Sequence, residues 1–148
     1  MLYLQDLEPG QKYRSGKLTV SAEQIKAFAA EFDPQPFHLD EMAAKDTIFR
    51  GHAASGWHTA ALTMRLLVDS EFRPAGGIVG AGFEELKWPL PVRPGDALHA
   101  EFEVLEVRAS KSRPEQGIAK VRGTTFNQED RTVQVFVANL IVQRGSES

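Results

Sequence analysis

The densest group of side chains capable of chemistry lies in FDPQPFHLD, Phe32 to Asp40, where Asp33 and His38 stand five residues apart. A carboxylate and an imidazole can jointly activate one water molecule, provided both are held within hydrogen-bond reach of it. Pro34 and Pro36 stiffen the stretch between them, so holding the pair in place costs little conformational freedom. A plainer reading is compatible with the same residues: Asp33 caps a turn, and His38 is a satisfied polar residue beside a loop. Spacing alone does not separate the two.

The remaining candidates are sparser. His52 and His58 flank the start of a later helix, and His99 falls on the polar side of an alternating strand, where exposure is expected. The spacing of His38, His52 and His58 does not match a helical zinc pair such as H-E-x-x-H, so no metal site is expected. Arg108, Lys111 and Arg113 cluster in RASKSRPEQG, which reads either as a solvated hairpin turn or as a phosphate-binding group. With no cysteine, the chain has no disulfide, no thiolate metal site and no Cys nucleophile.

Elements must position these groups. An irregular arm and a first strand run to about Val20, with Pro9-Gly10 as a turn. Ser21 followed by Gln24 forms a capping-box pattern, and Ile25, Phe28, Ala29 and Phe32 recur with helical spacing. Pro34 ends that helix, which makes residues 33–38 a loop, and Asp40 caps a brief turn through Ala44. A long helix spans about Ala54 to Phe72. Its stripe of Trp57, Ala60, Ala61, Met64 and Val68, widened by Leu62, Leu66 and Leu67, predicts burial on most sides. Strands follow: Ile78 to Trp88, then a segment in which Leu98, Ala100, Phe102 and Val104 alternate with polar residues and slip phase at Leu105, predicting a bulge. Ile118 to Phe126 and Thr132 to Gln143 form the last pair. Between the first two strands lie Pro89-Leu90-Pro91 and the turn Arg93 to Asp96. A helix followed by a run of antiparallel strands predicts an α+β fold.

The bulk properties narrow the function. A chain of 148 residues suits one domain, residues 1–148. Its 42% hydrophobic and 25% charged residues are ordinary for a soluble globular protein. A net charge of −3 argues against a nucleic-acid partner. No apolar run approaches the ~20 residues of a membrane span, so no membrane is expected. The opening MLYLQDLEPGQKY has neither the basic start nor the apolar run of a secretory signal, which makes the cytoplasm the expected compartment.

The Asp33 segment resembles the motif of the MaoC-like and (R)-specific enoyl-CoA hydratase family. There an Asp, an Asn-Pro pair and a His occupy the positions held here by Asp33, Gln35-Pro36 and His38. Ala54-Ser55-Gly56-Trp57 falls where family members carry His-Gly-Met. LKWPLPVRPGDALHAEFEV is similar to the family's strand, proline loop and Gly-Asp turn, and NQEDRTVQVFVANLIVQR to its last hairpin. The resemblance implies a hot-dog fold, an antiparallel β-sheet wrapped around a long central α-helix. It implies reversible addition of water to a 2-enoyl-CoA, with Asp33 and His38 as the catalytic pair and the Gly56 backbone facing the thioester carbonyl. Gln35, Pro36, Phe37, Ser55 and Trp57 would shape the substrate pocket, and Arg108, Lys111 and Arg113 would meet the phosphates of coenzyme A. Coenzyme A would enter as part of the substrate, with no other cofactor and no metal, and the protein would be a homodimer or higher homo-oligomer. Gln35 departs from the usual Asn, Ser55 and Trp57 from His and Met, and Met64 stands where some members carry a serine. Two other activities remain compatible with the fold: a hot-dog acyl-CoA thioesterase, and a non-catalytic acyl-CoA-binding subunit.

Overall fold

The computed structural model describes residues 1–146. A 3-10 turn at Leu4–Asp6 precedes the short strands β1 (Lys12–Arg14) and β2 (Leu18–Thr19). Helices α1 (Ala22–Phe32), α2 (Pro36–Leu39), α3 (Glu41–Ala44) and α4 (Gly56–Val68) follow, and then the long strands β3 (Val79–Lys87), β4 (Ala97–Ala109), β5 (Gln116–Phe126) and β6 (Thr132–Gln143). The sheet is antiparallel in the order β1-β4-β5-β6-β3, with β2 also paired to β4. This is the α+β arrangement expected from the residue patterns.

Local chemistry explains where the elements begin and turn. The Ser21 hydroxyl accepts from the Gln24 N–H, and the Gln24 side chain accepts in return from the Ser21 N–H, so α1 starts with the full capping box. Asp40 accepts from the N–H groups of Met42 and Ala43 and opens α3. On β4, Leu98, Ala100, Phe102 and Val104 are buried while His99, Glu101 and Glu103 face outward. The pairing of β4 with β5 shifts between Val104 and Glu106, a bulge at Leu105. Asp96 ties the preceding turn by accepting from the Arg93 N–H, and Gly95 supplies the left-handed φ of +87° that the turn requires.

Three features differ from the sequence reading. Residues 33–38 are not all loop: Pro36 sits at the first position of α2, where its fixed φ and missing N–H suit a helix start, and His38 is carried on that helical turn. The long helix is shorter than expected, because Ala54 and Ser55 remain extended ahead of Gly56 and the chain turns after Val68. Its broad stripe faces the sheet only in part. Thr59, Thr63, Leu66 and Leu67 pack inward, whereas Trp57, Met64 and Val68 are exposed, beside the exposed Val79 and Phe83 of the edge strand β3. Phe32 also points outward.

The core joins Leu66, Leu67 and Phe72 to the inward residues of β4, β5 and β6, with Val20 and Ile25 closing it from the α1 side. Full burial of side chains such as Phe102 and Leu98 stabilises the fold by about 1.5–3 kcal/mol each. His58 is buried and stacked on Phe28, ring centroids 4.6 Å apart, with its Nδ1 unpartnered. Burial lowers its pKa from the ordinary imidazole value. The unfolded chain therefore binds a proton that the folded chain resists, and stability present above about pH 6.5 is lost as the pH falls below it. His58→Phe keeps the stack and removes the titration. Its melting temperature, measured from pH 8 to pH 5, should decline less than that of the unsubstituted protein; parallel declines would assign the acid sensitivity elsewhere.

Candidate active site

Asp33 is the C-cap of α1 and His38 lies on α2, so the two residues flank the sharp break at Pro34. Gln35 N–H donates to the Asp33 carbonyl (2.8 Å), and His38 N–H returns to the Gln35 carbonyl (3.0 Å), folding the segment back on itself. That geometry brings His38 Nε2 to 3.2 Å from Asp33 Oδ2.

The imidazole is clamped from its other side. His38 Nδ1 lies 2.6 Å from the Ala53 carbonyl oxygen. A carbonyl oxygen only accepts, so Nδ1 carries a proton and Nε2 is the nitrogen that faces Asp33. The His38 carbonyl in turn accepts from His52 Nε2 at 2.7 Å, and the Phe37 carbonyl accepts from the Ala53 N–H. Arg93 completes the frame by donating to the carbonyls of His52 and Phe49. Three backbone segments, tied together by the Arg93 side chain, therefore frame one ring.

Burial alone would raise the Asp33 carboxyl. The Gln35 amide donating to Oδ1, the Ser55 hydroxyl and the His38 imidazole together outweigh it and hold Asp33 below the ordinary carboxylate range. Ser55 Oγ is buried without a hydrogen bond of good geometry, so it acts on Asp33 as a nearby dipole. Gln35, the longer side chain at the Asn position, thus bonds the carboxylate directly.

His38 opens onto a cavity of about 750 Å³, which Gln35, Phe37, Phe49, Gly56, Thr59 and Trp88 help to line. Arg50 and Arg93 are the cationic side chains of its lining, and neither pairs with a carboxylate among the described residues. At its floor α4 begins at Gly56, whose N–H, with that of Trp57, finds no acceptor in the described chain. These free N–H groups and the helix dipole offer about half a positive charge.

The other expected residues are placed as follows. Gln35, Phe37 and Gly56 line the cavity, Pro36 starts α2, and Ser55 is buried beneath Asp33. Trp57 does not line it: the side chain is 60% exposed and meets Trp88 edge-on at 5.4 Å. Trp88 takes that place, a residue that marked only a strand end in the sequence. Arg108, Lys111 and Arg113 lie at the β4–β5 hairpin, and Trp88 and Gly56 at the other end of the sheet, so one chain does not bring them together. His99 is half-buried, stacked on Phe126 and 3.3 Å from Asp130. No group of three His, Cys, Asp or Glu side chains converges as a metal site among the described residues. No helix there is long and apolar enough to cross a membrane.

Residues 5–126 match the family model described as MaoC like domain. The chain belongs to the MaoC-like dehydratase family. The structure of a MaoC-like dehydratase from Rhodospirillum rubrum superposes on this MaoC-like chain with a TM-score of 0.95 at 53% identity, covering 99% of this chain and 100% of that one. An uncharacterised Bacillus subtilis protein, YdeM, is 35% identical over 139 residues, 94% of this chain and 96% of its own. The (R)-specific enoyl-CoA hydratase of Aeromonas caviae is 39% identical over 108 residues, 72% of this chain and 78% of its own. The hot-dog fold expected of the family is the one observed.

The lowered Asp33 pKa sets a stability signature. A group whose folded pKa is depressed stabilises the fold above its unfolded value, and the contribution is lost as pH falls through the folded one. In Asp33→Asn the melting temperature should therefore fall less steeply below about pH 4 than in the unsubstituted protein. Identical acid profiles would mean that Asp33 is not held ionised by its neighbours.

Proposed function

We propose that this protein is an acyl-thioester hydratase or dehydratase, which reversibly adds water to a 2-enoyl-CoA to give a 3-hydroxyacyl-CoA. The observation that carries this reading is the 3.2 Å contact of Asp33 Oδ2 with His38 Nε2, held at a cavity whose floor is a helix start. In this scheme a water lies beside that contact, within reach of both side chains. Asp33 accepts its proton while the water oxygen bonds to C3 of the substrate. The electrons of the C2–C3 double bond move toward the thioester oxygen, where the N–H groups of Gly56 and Trp57 face the developing negative charge. His38 Nε2 delivers a proton to C2. The pair begins and ends with one shared proton, so no other acid or base is required. The scheme uses no metal, and coenzyme A takes part only as the carrier portion of the substrate.

The cations of the cavity mouth suit that carrier. Arg50 is exposed at the rim and would meet a phosphate of coenzyme A, while Arg93 is tied to backbone carbonyls. The thioesterase reading would need a carboxylate near the start of α4. The one at its C-cap, Asp69, is engaged by Arg65 at 2.7 Å.

A homodimer accounts for the exposed face of the fold. β3 is a nine-residue open edge carrying exposed Val79 and Phe83, flanked by exposed Met64 and Val68 of α4. Such an edge calls for a partner strand, and a second copy supplies one. An antiparallel pair of β3 strands would set the hairpin end of one sheet beside the site end of the other. Arg108, Lys111 and Arg113 would then serve the neighbouring subunit.

Two measurements test these readings. With crotonyl-CoA, loss of the conjugated double bond without release of free CoA is expected, and Asp33→Asn should lower kcat/KM by about 10²–10⁴ with the fold intact. His38→Ala should do the same, and the double variant should lose little more, because the two act as a unit. Release of free CoA, or near-unchanged turnover in Asp33→Asn, would contradict the assignment. For assembly, light scattering should give the mass of two copies, and Val79→Glu should shift it toward one; a monomeric unsubstituted protein would remove the dimer.

A further inference from the structure

Trp88 is held more elaborately than a pocket wall requires. Its indole lies flat against the start of α4: a Cβ built at Gly56 would stand 2.7 Å from Trp88 Cδ2 and Cε2, so only glycine admits the ring there. Its Nε1 donates to Gln134 Oε1 at 2.7 Å. Gln134 is 1% exposed, on a strand whose neighbouring inward positions are Val133, Phe136 and Ala138. A buried amide is costly unless hydrogen-bonded. The side-chain bond recorded for Gln134 goes to Trp88, so a polar residue stands in the apolar layer where it fixes the indole.

The Trp88–Gln134 pair lies between two spaces. On one side is the cavity of about 750 Å³ that holds His38, Gly56 and Thr59. On the other is an apolar groove of about 80 Å³ between α4 and β3, lined by Ala60, Met64, Leu67, Leu86 and Phe136. Gln134 lines the groove and Trp88 lines the cavity, so their hydrogen bond crosses the boundary. Thr59 and Ala60, adjacent on α4, fall on opposite sides of it.

We infer that the Trp88–Gln134 pair sets the acyl-chain length this protein accepts, by closing the reaction cavity off from the groove behind it. The inference rests on the acyl-thioester reading above. With the thioester carbonyl at Gly56, the chain runs along α4, and Gly56 to Ala60 is about 6 Å, one helical turn. A butyryl chain ends within that turn. An octanoyl chain that follows α4 meets the indole, and the apolar continuation along that helix is the groove beyond. The unsubstituted protein is therefore selective for short acyl groups, and removing the indole joins the two spaces into one channel.

The test is binding rather than turnover. Saturated butyryl-CoA and octanoyl-CoA have no double bond to hydrate, so isothermal titration reports their Kd values directly. The unsubstituted protein should bind butyryl-CoA at least about tenfold tighter than octanoyl-CoA, the discrimination expected when methylenes have no pocket. Trp88→Ala should reverse that order, tightening octanoyl-CoA about tenfold or more. Gln134→Leu, which keeps the shape and frees the indole, should move the ratio in the same direction by less; it stands in if Trp88→Ala does not fold. Equal Kd values for the two thioesters in the unsubstituted protein, no binding of either, or a ratio unchanged in both variants would overturn the inference. A shifted ratio in a protein that hydrates no enoyl-CoA would instead leave chain selection standing and remove the hydratase assignment.

Discussion

One hydrogen bond, from His38 Nδ1 to the carbonyl of Ala53 at 2.6 Å, organises the site. It decides which ring nitrogen carries a proton and hence which one faces Asp33. The segment that presents that carbonyl is held in turn: Ala53 N–H to Phe37, Ala54 N–H to Val92, His52 to His38, and Arg93 across to Phe49 and His52. None of these groups except His38 needs to touch a substrate. Their effect is to leave the imidazole with a single orientation, so that the pair is organised before any ligand arrives.

The same economy shows in α4. Its inward face is unusually polar at the site end, with Thr59 and Thr63 buried and Thr63 bonded to Thr125 of β5 at 2.7 Å, and becomes aliphatic at Leu66 and Leu67. The helix is anchored by hydrogen bonds beneath the cavity and by apolar contact farther on. Its outward stripe leaves Met64, Val68 and Trp57 about half exposed to water. The homodimer proposed above would cover this face together with the open edge of β3 beside it.

Much of this was legible from residue types. The Ser21/Gln24 capping box, the Asp40 cap, the alternation on β4 and the bulge at Leu105 are local events, governed by side chains close in sequence, and all appear where the pattern puts them. Asp33 and His38 were visible because a proline-stiffened turn keeps them near each other. The frame around them was not. His52 and Arg93 act on backbone carbonyls, and any residue supplies a carbonyl, so nothing in the sequence marks the partner. Trp88 was hidden for a similar reason: its contact with Gly56 spans the chain, and the more conspicuous Trp57 drew the assignment. The α4 stripe was misdirected because hydrophobic periodicity reports that a face is apolar, without reporting whether the core or another molecule covers it.

The account stands on the His38 tautomer, and ¹⁵N NMR of the histidine ring nitrogens measures it directly. Nδ1 should show the shift of a protonated, hydrogen-bonded nitrogen wherever the fold is intact, in the unsubstituted protein and in Asp33→Asn alike. A His38 with a bare Nδ1 would contradict the arrangement on which the proposed acid–base pair rests.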